Sequence, residues 1–134
     1  MAIAALAEVN PVGVWRTISD VDGKPRGLVQ IEFRGNSLTG KIVGSLHPGE
    51  DPRRVCEFCA GERRGKLLLG MQILGGLKQN PSQPLEFDGG WLLDPDSGNV
   101  YQAKATLNPD GSRLMLRGFI GVSMIGRTQT WYKN

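Results

Sequence analysis

The sequence predicts one all-β domain, an antiparallel up-and-down barrel of about eight strands. Three observations carry this. Apolar and polar residues alternate with period two through several short runs. Turn-forming groups such as Asp22-Gly23, Asp94-Pro95-Asp96-Ser97-Gly98-Asn99 and Asn108-Pro109-Asp110-Gly111 separate those runs. No apolar pattern keeps a helical period for more than a couple of turns.

The first strand is expected at about 13–18, ending before Asp22-Gly23. The second runs at about 28–33, with Val29, Ile31 and Phe33 on one face. The third runs at about 38–46, with Leu38, Gly40, Ile42, Gly44 and Leu46 together. Residues 47–66 break this rhythm, and a long patternless stretch inside a small domain is commonly functional or tied down. A short helical turn near 52–59 would fit there. The fourth strand is expected at 67–74, closed by Gly75-Gly76, and a loop follows at 78–84. Strands at about 86–93, 100–107, 113–119 and 127–133 complete the set. Short links favour a meander over a Greek-key sandwich, and closing the sheet removes its exposed edges.

The chain has 134 residues, 40% of them hydrophobic and 22% charged. That supports one packed domain and excludes a disordered chain. The net charge of +3 comes from 16 basic and 13 acidic residues that are interspersed. A nucleic-acid partner would call for a basic stripe with aromatic platforms, and the sequence has none. No apolar run reaches the roughly 18–20 residues of a membrane-spanning helix. Met1-Ala2-Ile3-Ala4-Ala5-Leu6-Ala7 ends in a small-x-small form that suits signal-peptidase cleavage. We therefore read 1–10 as residual signal and N-terminal tail, and 11–134 as the barrel.

Cys56 and Cys59 form a Cys-x-x-Cys. A local disulfide that staples the long loop agrees with an exported protein. A redox pair would want a helix N-terminus in a βαβ setting. A zinc site would need two further ligands, and His47 is the only histidine. The sequence favours the staple and leaves the other two open.

No group of residues forms a complete catalytic set. His47 sits in a Pro-Gly loop without an evident partner. Ser123 does not stand in a strand–elbow–helix context. Asp94, Asp96 and Asn99 miss calcium-loop spacing and read as turn formers. A non-enzymatic protein without metal or cofactor is expected. A ligand pocket would be lined by alternating faces. Met71 with Ile73, Trp91 with Leu93, Tyr101 with Ala103, and Leu114 with Leu116 are the candidates. Arg127, Gln129 and Trp131 share one face of the last strand and offer an anchor for an anionic group.

Several segments together resemble a bacterial family of unknown function, DUF2147. They are Gly13-Val14-Trp15-Arg16-Thr17, Gly40-Lys41-Ile42-Val43, Pro48-Gly49-Glu50-Asp51-Pro52, the Cys56–Arg63 segment, and the Gly118–Trp131 segment. The resemblance runs from about Pro11 to Tyr132. It implies a small, exported, lipocalin-like (calycin-type) barrel and supplies no activity. Lipocalins also open with Gly-x-Trp and pack that Trp against an Arg on the last strand. The resemblance therefore pairs Trp15 with Arg127 through a cation–π contact at the closed end.

Together these readings point to a periplasmic barrel that binds a small, partly hydrophobic or amphipathic ligand. Its candidate contacts are Trp15, Met71, Trp91, Tyr101, Arg127, Gln129 and Trp131. The alternatives are a solid barrel acting as an envelope structural or interaction protein, and a thiol-redox protein using Cys56 and Cys59.

Overall fold

A computed structural model describes residues 9–19, 22–120 and 126–134. The strands are β1 (Gly13–Ile18), β2 (Pro25–Arg34), β3 (Ser37–Ser45), β4 (Gln72–Asn80), β5 (Gln83–Leu93), β6 (Val100–Leu107), β7 (Arg113–Phe119) and β8 (Gly126–Lys133). Each pairs antiparallel with its sequence neighbour. β1 then pairs with β8 through Trp15–Lys133 and Arg16–Tyr132, which closes the barrel. Closure leaves no strand edge exposed to further pairing.

The fourth strand differs from expectation. Residues 67–71 belong to the long link, and β4 begins at Gln72. Gly75 and Gly76 lie inside the strand instead of ending it. The loop expected at 78–84 reduces to a turn at Pro81-Ser82. The helical turn falls later than expected, as a 3-10 turn at Gly61–Arg63.

Directly paired residues in an antiparallel ladder point to the same side of the sheet. Three of the register shifts matter most for which residues face inward. Gly40 pairs with Leu74 while Leu38 pairs with Leu77, so β4 carries one extra residue between them. Phe87 pairs with Ala105 and Gly90 with Ala103, so β5 carries another. Leu28 pairs with Gly44 and Val29 with Ile42, which leaves Val43 bulged from β3. These bulges place Leu74, Leu77, Phe87 and Leu92 inside. They turn Ile73, Gly75, Trp91 and Leu93 to the outer face.

One end of the barrel is closed by short turns and by residues 9–12. There the inward residues are large and fully buried, including Trp15, Ile31, Leu38, Leu77, Phe87, Leu114 and Trp131. Burying such side chains contributes about 1.5–3 kcal/mol each. This packed half is the main source of stability.

Candidate functional site

The closed end is held by Trp15. Its indole Nε1 donates to the Pro11 carbonyl at 2.9 Å. Lys133 Nζ sits 5.2 Å from the ring centroid and donates to the Val12 carbonyl at 2.8 Å. Gly13 makes this route open, because a Cβ there would lie 2.8 Å from Lys133 Cε, and its φ is 141°. The Gly-x-Trp spacing thus lets a last-strand cation cross β1 and reach the Trp ring. The cation is Lys133, which corrects the expected Trp15–Arg127 pair. Arg127 stands opposite Gly118, six residues along β8 and near the other end. At about 3.3 Å per residue that is ~20 Å from Lys133, far beyond contact.

Among the described residues, the opposite end is the open one. Here the inward faces of Thr17, Gly27, Ile42, Leu92, Tyr101 and Gln129 are only half-buried, and Arg127 is exposed at the rim. The floor beneath them is Val29, Leu74, Ala103 and Leu116, all buried. Asn99 Nδ2 donates to Tyr101 Oη at 3.2 Å, which ties the Tyr to the β5–β6 turn. Trp131 Nε1 donates to Gln129 Oε1 at 3.1 Å, which fixes the Gln amide above the packed half. The open end is thus apolar below and polar at its lip. It can desolvate a short apolar segment and offer hydrogen bonds to a polar head.

Of the residues expected to bind, Tyr101, Gln129 and Arg127 come together at this mouth. Trp15 and Trp131 are core residues at the closed end. Met71 and Trp91 do not line the interior, which corrects that expectation, as it does for Ile73 and Leu93. Met71 precedes β4 and borders an outer depression. Trp91 pairs with Gly75 and Gln102 on the outer wall. Alternation alone would carry Trp91 inward with Phe87, and the bulge between Phe87 and Gly90 reverses it. Thr17, Gly27, Ile42 and Leu92 were not anticipated as mouth residues. Thr17 and Ile42 could have been found by extending the inward alternation of Trp15 and of Leu38-Gly40. Leu92 depends on the bulge and carries no such signal.

Residues 46–71 form a strap. Cys56 N donates to the Lys66 carbonyl, Gly65 N to Cys56, and Leu68 N to Arg54, at 2.9, 2.9 and 3.0 Å. Val55 and Leu67 form an isolated bridge. These bonds fold the strap back on itself, and a Cys56–Cys59 disulfide closes its tip. Cys56, Cys59 and Leu68 are buried, and so are Ile73 and Leu93. Since Ile73 and Leu93 point outward from the barrel, the strap covers the outer wall of β4 and β5. Arg63 lies 4.9 Å over the Trp91 ring. The disulfide is therefore buried where the strap tip meets the β5–β6 turn, which favours the staple. Among the described residues, no three His, Cys, Asp or Glu side chains gather as a metal site.

Charge fastens the strap to the rim. Arg26 of β2 contacts Asp96 at 3.0 Å and Glu50 at 3.9 Å. Arg54 contacts Asp96 at 2.9 Å and also pairs with Glu50. Burial opposes the Glu50 charge and is the largest single influence on it. The hydrogen bonds from Ser45 and Arg54, with the nearby Arg26, outweigh burial and hold its carboxyl below the ordinary value. A depressed carboxyl contributes stability that is complete above its unfolded value of 4.5 and lost as pH falls through the folded one. Glu50→Gln is expected to flatten the part of the acid denaturation curve below about pH 4.5. Urea midpoints of both proteins from pH 7 to 3 check this. Equal slopes would show that Glu50 does not fasten the strap.

His47 lies exposed in the strap, its amide donating to Ser45 Oγ at 3.2 Å. Asp94 and Ser97 cap the β5–β6 turn, as turn formers do. Ser123 and Met1–Ala7 lie outside the described residues.

Residues 13–133 match the family described as uncharacterized protein conserved in bacteria (DUF2147). The chain belongs to the DUF2147 family. No curated protein matches it. A solved structure from the human pathogen Helicobacter pylori, the protein HP1028 described as belonging to the lipocalin family, is similar in fold. Its TM-score is 0.80 at 16% identity, with 94% of this chain and 84% of that one covered. This DUF2147 chain thus has the lipocalin-like architecture that the closed barrel shows by itself.

Proposed function

We propose that this DUF2147 protein is an exported, lipocalin-like binding protein that takes a small, partly apolar ligand at the open end of its barrel. One observation carries the reading. The inward face grades from fully buried large side chains at the closed end to half-buried Ile42, Leu92 and Tyr101 at the other. The packed half gives a rigid floor. The mouth keeps apolar surface accessible beside Thr17, Gln129 and Arg127. That division suits a ligand with an apolar tail and a polar or anionic head. The buried Cys56–Cys59 disulfide supports an oxidising compartment, and so export.

Titration of 15N-labelled protein with dodecanoate tests the site. Saturable shifts at Thr17, Ile42, Leu92, Tyr101 and Gln129 are expected, and Leu92→Trp should abolish them by covering the exposed apolar surface. No saturable shifts, or shifts confined to other faces, would overturn the reading.

A further inference from the structure

The strap creates a second concave surface, on the outside of the barrel. One depression is bordered by Arg63, Lys66, Leu67, Leu69 and Met71 with Glu62. Another lies on the outer faces of β2 and β3, bordered by Arg34, Thr39 and Lys41 with Glu32. Both are also lined by Gly70 and Gln72, so the two meet there. Backbone bonds hold this junction in place: Gly70 N donates to Ile42 at 2.8 Å, and Ile42 N donates to Met71 at 3.0 Å. The first depression is shallow and open to solvent, with a volume of about 450 Å³.

Its chemistry is mixed. Leu67 and Leu69 remain 53% and 48% exposed although the protein buries Leu68 between them. Apolar surface rimmed by charge marks an interaction site more than a plain solvated one. Four cations line the joined depressions against two carboxylates. Arg34, Lys41 and Lys66 make no ion pair among the described residues, whereas Arg26 and Arg54 at the rim are fully matched.

We propose that this outer groove docks an extended acidic peptide segment whose apolar side chains alternate with Asp or Glu. The cations meet the carboxylates, and Leu67, Leu69 and Met71 receive the apolar side chains. A neutral glycan is disfavoured because, among the described residues, no aromatic lines either depression, and Trp91 is already covered by Arg63. A flat membrane surface is disfavoured because the leucines border a depression instead of a crest. The strap is fixed by the disulfide, by the Arg26–Glu50–Arg54–Asp96 cluster and by Arg63 on Trp91, so the groove exists before a partner arrives.

A dye-labelled peptide of eight alternating Glu and Leu residues is the probe, with anisotropy and 15N shifts as readouts. Binding should weaken with salt and should shift Lys41, Lys66, Leu69 and Gln72. Lys41→Glu with Lys66→Glu should weaken it about tenfold or more, since each reversal exchanges attraction for repulsion. Both lysines are exposed, so the variant should melt with the wild type. Leu67→Ser should weaken binding without changing its salt dependence. Equal affinity for the double variant, shifts at the mouth residues, or sedimentation with phosphatidylglycerol vesicles without peptide binding would each overturn the proposal. Dodecanoate binding at the mouth is read separately, so the two proposals fail independently.

Discussion

Trp15→Ala is expected to cost about 3–5 kcal/mol, the usual range for deleting a fully buried tryptophan. The side chain has 0% exposure and is among the largest fully buried side chains of the core. Its loss would also free the Pro11 carbonyl and remove the ring beneath Lys133. Against a typical total of about 5–15 kcal/mol, such a change takes a large share of domain stability. Chemical denaturation at pH 7 measures it through a lower midpoint. Lys133→Met should cost about 0.5–1 kcal/mol through the lost cation–π contact. In the Trp15→Ala background the same Lys133 change should cost less, because its partner ring is gone. Arg127→Ala should show no such coupling. Coupling of Trp15 to Arg127 instead of Lys133 would contradict the observed register.

Gly98→Ala is expected to detach the strap. The new Cβ would lie 1.9 Å from the Phe58 carbonyl oxygen and 2.3 Å from its carbon, and both are backbone atoms that cannot rotate aside. The glycine also has φ of 77°, a left-handed conformation that costs a substituted residue about 1–2 kcal/mol. Gly49 has φ of 76° with open space around its Cβ position. Gly49→Ala should therefore show the backbone cost alone. The excess destabilisation in Gly98→Ala, about 1–3 kcal/mol as for overpacked sites, reports the strap contact. The variant should also let dithiothreitol reduce Cys56–Cys59 faster, since the buried sulfurs become accessible. Equal stability and equal reduction rates in the two variants would show that the strap does not rest on the β5–β6 turn.

The fold was largely legible because its signals are local. Alternation marks a strand within a few residues, and Asp-Gly or Asn-Pro-Asp-Gly marks a turn within four. β1, β6 and β7 have the expected bounds. β4 was displaced because Leu67-Leu68-Leu69 looks like a buried strand. Its middle residue is indeed buried, but beneath a strap and not in a ladder. The glycine pair at Gly75-Gly76 reads equally well as a strand end or as a bulge, and only the partner strand separates these.

The candidate site was legible only in part, and the limit is parity. Ile73 and Leu77 are four apart, as are Phe87 and Trp91, so alternation predicts a shared face for each pair. One extra residue in β4 and one in β5 reverse both. A single bulge moves every later side chain of a strand to the other surface. Tyr101 and Gln129 keep the inward face that alternation gives them because β6 and β8 run without a register shift against β7. Arg127 shares that face, at the opposite end from Trp15.

The sequence alone determined the number of strands and their order, since each rests on residues close together in the chain. It favoured a local disulfide without excluding the alternatives, which the structure closes. The tertiary structure decided which cation meets Trp15, which aromatic faces inward, and that the long loop covers the outside of the barrel. Those outcomes depend on register between segments far apart in sequence, and register is set by bulges and closure.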